Sequence, residues 1–301
     1  MSGVLMAANR AADTPTVSSA LRVPPGAARN VSTIALRELA DAARSRWFVL
    51  YTLAFAALGL AVSLVSAAGA GGAGISGYGR TTAGLINLVL LVVPLMALTA
   101  GAGSIASDRE RGMLPYLLAQ PVSRVEVLAG KYIGLAAALF ASLCLGLGGC
   151  AVILALKGAG TRPEMILWLA GLSQGLALGM LSLGMLISVA ARKSSVAVGT
   201  AIFVWLTLAF VTDLGLMAGT LTMRLRIEEL FALSLVNPLQ VFKMWSLHAV
   251  DASLDVLGPA GLYAMEEYGA WLHLIFGASL AAWVVAPLAA AAVVMSRKSP
   301  V

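Results

Sequence analysis

Apolar residues in this chain come in long unbroken stretches rather than in alternation. Six stretches approach the roughly 20 residues that a helix needs to cross a bilayer: Trp47–Ala68, Gly84–Ala106, Tyr132–Leu156, Met165–Ala191, Ser195–Gly219 and Trp271–Met295. The pattern predicts an all-α membrane protein with six transmembrane helices, an even number that leaves both termini on one side. Residues 1–30, rich in Ala, Ser, Thr, Pro and Arg, lack the apolar h-region of a signal peptide and read as a disordered basic tail. The six-span domain covers residues 47–299. It is interrupted by a charged insertion at 107–131 and a longer, mixed segment at 220–269.

Residues 31–46 show helical rather than continuous patterning. Arg37, Glu38, Asp41 and Arg44 fall on one face of a helix, and Val31, Ala35, Leu36, Leu39 and Ala42 on the other. An amphipathic helix lying in the membrane interface and bending into the first span is expected.

Composition strengthens the membrane reading. Hydrophobic residues make up 60% of the 301 and charged residues only 11%, against about 25% charged in soluble domains. The net charge of +6 does not indicate nucleic acid, because its distribution follows the spans. Fourteen of the twenty Lys and Arg fall on the side that carries the termini, which places the termini and the 107–131 insertion in the cytoplasm. Cys144 and Cys150 lie in one apolar run and read as small packing residues. In the fourth span Gly171, Gly175 and Gly179 form a smooth stripe suited to close helix packing.

The insertion at 107–131 surrounds a short apolar run with Asp108, Arg109, Glu110, Arg111, Arg124 and Lys131. A simple connection needs no apolar core, so this is a docking surface. In the 220–269 segment Arg224, Arg226, Glu228 and Glu229 mix with apolar residues in one short helix. Asn237-Pro238 then reads as N-cap and first helical residue of another, with Phe242 and Trp245 on one face. This second helix is expected at the outer headgroup layer, where the segment docks an extracytoplasmic partner or covers helix ends.

Several chemistries are excluded or weak. No G-x-x-x-x-G-K-[ST] occurs, so the chain has no phosphate loop of its own. Its spans lack the mid-membrane carboxylates of an ion relay. Gly74-Ile75-Ser76-Gly77, with His273 as base, is the minor alternative of an intramembrane serine protease, although Ser76 is expected in a glycine-rich loop, Ala67–Gly79. Met217, Met223, Met244, His248 and Met265 offer soft donors for copper but no tight ligand spacing.

In the insertion, Glu110 and Gly112 are followed by an apolar run containing Tyr116, then Pro121-Val122-Ser123-Arg124 and Gly130-Lys131. This resembles the first cytoplasmic loop of ABC-2 (type V exporter-like) permeases. Met113 stands where that family usually has Thr. Arg37-Glu38-Leu39-Ala40-Asp41 with Arg44-Ser45-Arg46-Trp47, Asn237-Pro238 and Ala286-Pro287-Leu288 further resemble the NosY-like permeases of nitrous oxide reductase maturation. The resemblance implies a homodimeric inner-membrane permease that binds no cofactor itself. Two copies of a separate cytoplasmic ABC ATPase would hold ATP and Mg and dock on Asp108, Arg109, Glu110, Arg111, Gly112, Tyr116, Pro121, Ser123, Arg124 and Lys131, beside Arg37, Glu38, Asp41 and Arg44. It also implies a periplasmic accessory protein, meeting the outer segment, and a copper chaperone. A generic ABC-2 exporter of lipid, drug or ion is the alternative.

Overall fold

A computed structural model of the chain describes residues 26–69, 76–113, 122–156, 163–221, 226–249 and 267–297. These residues form helices α1 (Ala27–Arg44), α2 (Arg46–Gly69), α3 (Ser76–Glu110), α4 (Arg124–Leu156), α5 (Pro163–Ala190), α6 (Ser194–Leu221), α7 (Ile227–Val236), α8 (Pro238–Ala249) and α9 (Leu272–Arg297), the last preceded by a 3-10 turn at Gly269–Trp271. The six expected spans correspond to α2, α3, α4, α5, α6 and α9. Five of these are long and apolar enough to cross a membrane, and α6 is a 28-residue helix that carries no charge before Asp213. Tyr116, Pro121 and Arg224 lie outside the described residues, as do Met223, Met265 and the expected apolar run of the insertion.

The central contact is α3 against α5. A Cβ on Gly184 would lie 2.5 Å from the Leu98 carbonyl oxygen, and one on Gly101 2.7 Å from that of Leu181. Backbone therefore meets backbone there. Ser188 Oγ accepts from the Ile105 and Ala106 N–H groups (3.0 and 2.8 Å), and Ser104 Oγ from α3 reaches Met185 Sδ at 2.9 Å. The expected stripe behaves differently. Gly175 and Gly179 face Leu280 and Trp283 of α9 at ordinary van der Waals distance, and nothing comes within 4 Å of a Cβ on Gly171. Close packing uses Gly184, one turn and a residue further on, because α9 brings large side chains to the stripe.

α1 begins at Ala27, so residues 27–30 belong to the helix rather than to the tail. Its Asn30 Nδ2 donates to Glu126 Oε2 at 2.9 Å. One further expectation changes at a loop. α2 runs to Gly69 and α3 begins at Ser76, which shortens the loop expected at Ala67–Gly79.

The segment after α6 departs most from expectation. α7 and α8 meet at Asn237 with a bend of 111°. As expected, Asn237 caps α8: its Oδ1 accepts from the Leu239 N–H at 2.9 Å, and Pro238 is the first helical residue. However, α8 is packed among the other helices rather than laid along the surface. Leu239, Val241, Phe242, Met244 and Leu247 are all buried. Asn237 Nδ2 donates to the Leu208 carbonyl of α6 and Ser279 of α9 to that of Leu235 at 2.9 Å. Ser279 lies about 10 Å along α9 from Leu272, at about 1.5 Å per residue. The bend thus dips into the bundle, and α8 climbs back to the end of α9, where Trp245 Nε1 donates to His273 Nδ1 at 2.9 Å. The cost of burying helix ends is met by these hydrogen bonds.

Candidate coupling site at the basic end

The sequence-derived cytoplasmic residues converge on one end of the bundle, formed by α1, the ends of α3, α5 and α9, and the starts of α4 and α6. Its centre is Lys131, only 4% exposed. The Lys131 ammonium donates to Glu38 Oε2 of α1 at 2.7 Å and pairs with Asp108 Oδ2 of α3 at 2.8 Å. Three helices therefore meet at one cation. A buried ammonium without partners would be very costly, and two carboxylates answer that cost.

Glycine places the carboxylate of α1 within reach. A Cβ on Gly134 would stand 2.5 Å from the Ala35 carbonyl oxygen and 2.7 Å from Glu38 Cβ, and one on Gly130 2.7 Å from Ile34. α1 consequently lies directly on the α4 backbone. Its buried positions are Asn30, Ala35 and Ala42, and Glu38 turns inward with them. Leu36, expected on the apolar face, is 67% exposed. Arg37 and Asp41 remain outside as an i,i+4 pair at 3.7 Å. Simple amphipathicity put Glu38 in water; the Lys131 contact reverses that placement.

Burial raises the Glu38 carboxyl above its ordinary 4.5, outweighing attraction to Lys131. The folded state therefore holds this proton more tightly than the unfolded chain. Stability from Glu38 is greatest near and below 4.5 and falls as pH rises through the raised value. The expected result is that wild type gains thermal stability relative to Glu38→Gln as pH drops from neutral towards 4.5. Parallel melting curves that keep a constant offset across that window would contradict it.

Around this centre, insertion residues cap neighbouring helices. The Arg109 guanidinium donates to the Ala191 carbonyl and to that of Val189, closing the end of α5. Glu110 Oε2 accepts from the Ser194 N–H at 3.0 Å at the start of α6. Cation at a C-terminus and anion at an N-terminus are both favoured by the helix dipole. Arg124 donates to the Met295 and Ser296 carbonyls (3.0 and 3.3 Å) at the end of α9. Ser123 Oγ accepts from the Glu126 N–H (3.2 Å), capping α4. Gly112 takes φ +71°, the left-handed conformation that ends α3 and that glycine adopts without penalty. Arg111, Met113, Val125, Arg192 and Lys193 are exposed on the same end.

These caps were not foreseen. Ser123-x-x-Glu126 carries the capping-box spacing, a signal available from sequence. The partners of Arg109 and Arg124 lie 80 or more residues away and left no local trace.

A sequence profile of the family described as "ABC-2 family transporter protein" matches residues 32–299. The chain belongs to the ABC-2 transporter family. It is 30% identical over 277 residues to "Probable ABC transporter permease protein NosY" of Stutzerimonas stutzeri, covering 89% of this chain and 98% of the relative. Its identity to the protein of the same name from Pseudomonas aeruginosa is 31% over 273 residues, or 87% and 96% of the two chains. This ABC-2 permease is a multi-pass membrane subunit, and the matched region takes in eight of the helices described above and α1 from residue 32 onward.

At the opposite end of the permease, Arg226, Glu228 and Glu229 are exposed at the start of α7, whereas Asn237, Pro238 and Phe242 are internal. Trp245 and His248 pack against His273, and Trp168 stacks on the same imidazole. Among the described residues no third His, Cys, Asp or Glu joins this pair in a metal-ligand cluster. Nδ1 of His273, the residue considered as a protease base, accepts the hydrogen bond of the Trp245 indole.

Proposed function

We propose that this permease is one half of a homodimer in the bacterial inner membrane, with its basic end in the cytoplasm, and that two copies of a separate ABC ATPase drive it. The distribution of Lys and Arg supports the orientation, and the missing phosphate loop supports a separate ATPase that holds ATP and Mg. The observation that carries the reading is the Lys131 cluster. It joins α1, α3 and α4 where the 111–123 connection leaves the bundle, so a push on that connection reaches the spans through ion pairs and caps. Arg111, Met113, Val125, Arg192 and Lys193 offer the exposed docking surface, while Arg109, Glu110 and Arg124 hold the helices beneath it.

The relatives named NosY favour a role in maturation of nitrous oxide reductase, where ATP-driven work supports copper-site assembly. In that system the exposed start of α7 faces a periplasmic accessory protein, and a copper chaperone delivers the metal. Co-expression of the permease with its ATPase tests the core of this reading. Arg192→Glu with Lys193→Glu should lower ATPase co-purification by more than about tenfold, the scale expected for reversing paired interface charges, at unchanged permease yield. Undiminished co-purification would refute docking at this surface. Reductase isolated from cells lacking the permease should be copper-deficient; a fully metallated reductase would remove the maturation role and leave the ATPase coupling intact.

A further inference from the structure

A cavity at the basic end, of about 980 Å³, lies between α1, α2, α3 and α6 with Lys131 and Leu135 of α4 behind it. Its lining changes from charged to apolar along α3, from Arg111 and Asp108 to Ala100 and Met96. From Arg111 to Met96 the helix rises about 22 Å at about 1.5 Å per residue. One leaflet of a bilayer, headgroups included, is about 20–22 Å thick. The cavity therefore spans the depth of a lipid leaflet, with charge at one end only. Trp47, 72% exposed, and Tyr51 flank it on α2, the residue types that mark the headgroup level.

Charge bookkeeping gives the sign of an occupant. Four cations line the cavity: Arg37, Arg44, Arg111 and Lys131. Lys131 is matched by Glu38 and Asp108, and Arg37 by Asp41. Arg44, at the end of α1, and Arg111, just beyond α3, have no acidic partner among the described residues. Each sits near a helix C-terminus, but that partial charge is far weaker than an anion. Guanidinium groups suit phosphate because they donate two parallel hydrogen bonds.

We propose that this cavity seats one anionic phospholipid, its phosphate between Arg44 and Arg111 and an acyl chain running past Phe48 and Tyr51 to Met96. Phosphate alone would leave the apolar half unfilled, and a zwitterionic lipid, with no net charge, would leave the excess of four cations over the three acids Glu38, Asp41 and Asp108 uncompensated. The site requires that the chain crosses a membrane; it does not depend on the ATPase or on copper.

The full-length permease, reconstituted in nanodiscs of equal phosphatidylglycerol and phosphatidylcholine and released into mild detergent, is read by native mass spectrometry. Wild type should retain one phosphatidylglycerol per chain in preference to phosphatidylcholine. Arg44→Gln with Arg111→Gln should lower that retention about tenfold, as expected for losing charge-assisted hydrogen bonds. Ala100→Trp, which fills the apolar half, should do the same, and Arg297→Gln should not. Compact charge-state distributions verify that each variant is folded. Equal retention of the two lipids, indifference to the arginine pair, or full displacement by inorganic phosphate would each overturn the proposal. The last outcome would identify a free-anion site, and loss on Ala100→Trp alone an apolar pocket without headgroup recognition.

Discussion

Replacing Lys131 by methionine should cost about 3–5 kcal/mol, the range for removing one partner of a buried ion pair. The side chains of Lys131, Glu38 and Asp108 are 6%, 16% and 21% exposed, so water screens little of the repulsion between the stranded carboxylates. α1 would be released first, since Glu38 is its one charged link to the bundle among the described ion pairs. With Cys144 and Cys150 replaced by alanine, a cysteine at position 34, packed against Gly130 in the native fold, should resist a water-soluble thiol reagent and should react in the Lys131→Met background. The distinguishing variant is the neutral triple, Lys131→Met with Glu38→Gln and Asp108→Asn. It should recover most of the lost stability, because the harm comes from unpaired charge rather than from lost attraction. A triple variant as unstable as the single one would disprove that account.

Gly184→Val should strongly disrupt the crossing of α3 and α5. Its Cβ would meet the Leu98 carbonyl oxygen at 2.5 Å, the Ala102 nitrogen at 3.1 Å and the Gly101 Cα at 3.1 Å. All three are backbone atoms, so no side-chain rotation relieves the clash and α3 must move away from α5. Overpacking typically costs about 1–3 kcal/mol and occasionally more, and a backbone obstacle puts this case at the upper end. The separation would also withdraw Ser104 from Met185 and the Ile105 and Ala106 N–H groups from Ser188. Gly148→Ala, which meets nothing within 4 Å, supplies the control and should leave the melting temperature unchanged. Equal behaviour of the two variants in detergent would argue against a tight α3–α5 crossing.

Much of the architecture was legible because membrane spans are a one-dimensional signal. Twenty apolar residues must become a helix in lipid whatever their neighbours do, and α2, α3, α4, α5, α6 and α9 fell where hydropathy put them. Asn237-Pro238 was likewise readable, since capping chemistry is local. What failed to show was direction. Whether Glu38 faces water or protein depends on Lys131, 93 residues away, and an amphipathic wheel has no access to that partner. The Gly171, Gly175 and Gly179 spacing looks the same against any surface, and only the fold reveals that α9 fills it while Gly184 makes the close crossing. The depth of α8 was hidden for the same reason. Its polar residues suggested an interface, yet Asn237 and Ser279 give buried backbone the hydrogen bonds that water would otherwise supply. Among candidate site residues, Lys131, Asp108 and Glu38 were selected one at a time, and their union in a single cluster is a property of three dimensions.

The capping contacts of Arg109, Glu110 and Arg124 have a consequence for motion. Residues 109–124 begin at the end of α3 and finish at the start of α4, and their side chains hold the ends of α5, α6 and α9. Five of the six spans are thus knotted at a single place, while among the described residues α2 receives none of these ties. At that end five helix termini move as one block, while α2 is held to α4 further along the bundle, where Thr52 Oγ1 and Ser142 Oγ lie 2.8 Å apart. Displacements of the helix ends at this place should therefore group into two sets, with the start of α2 alone in the second.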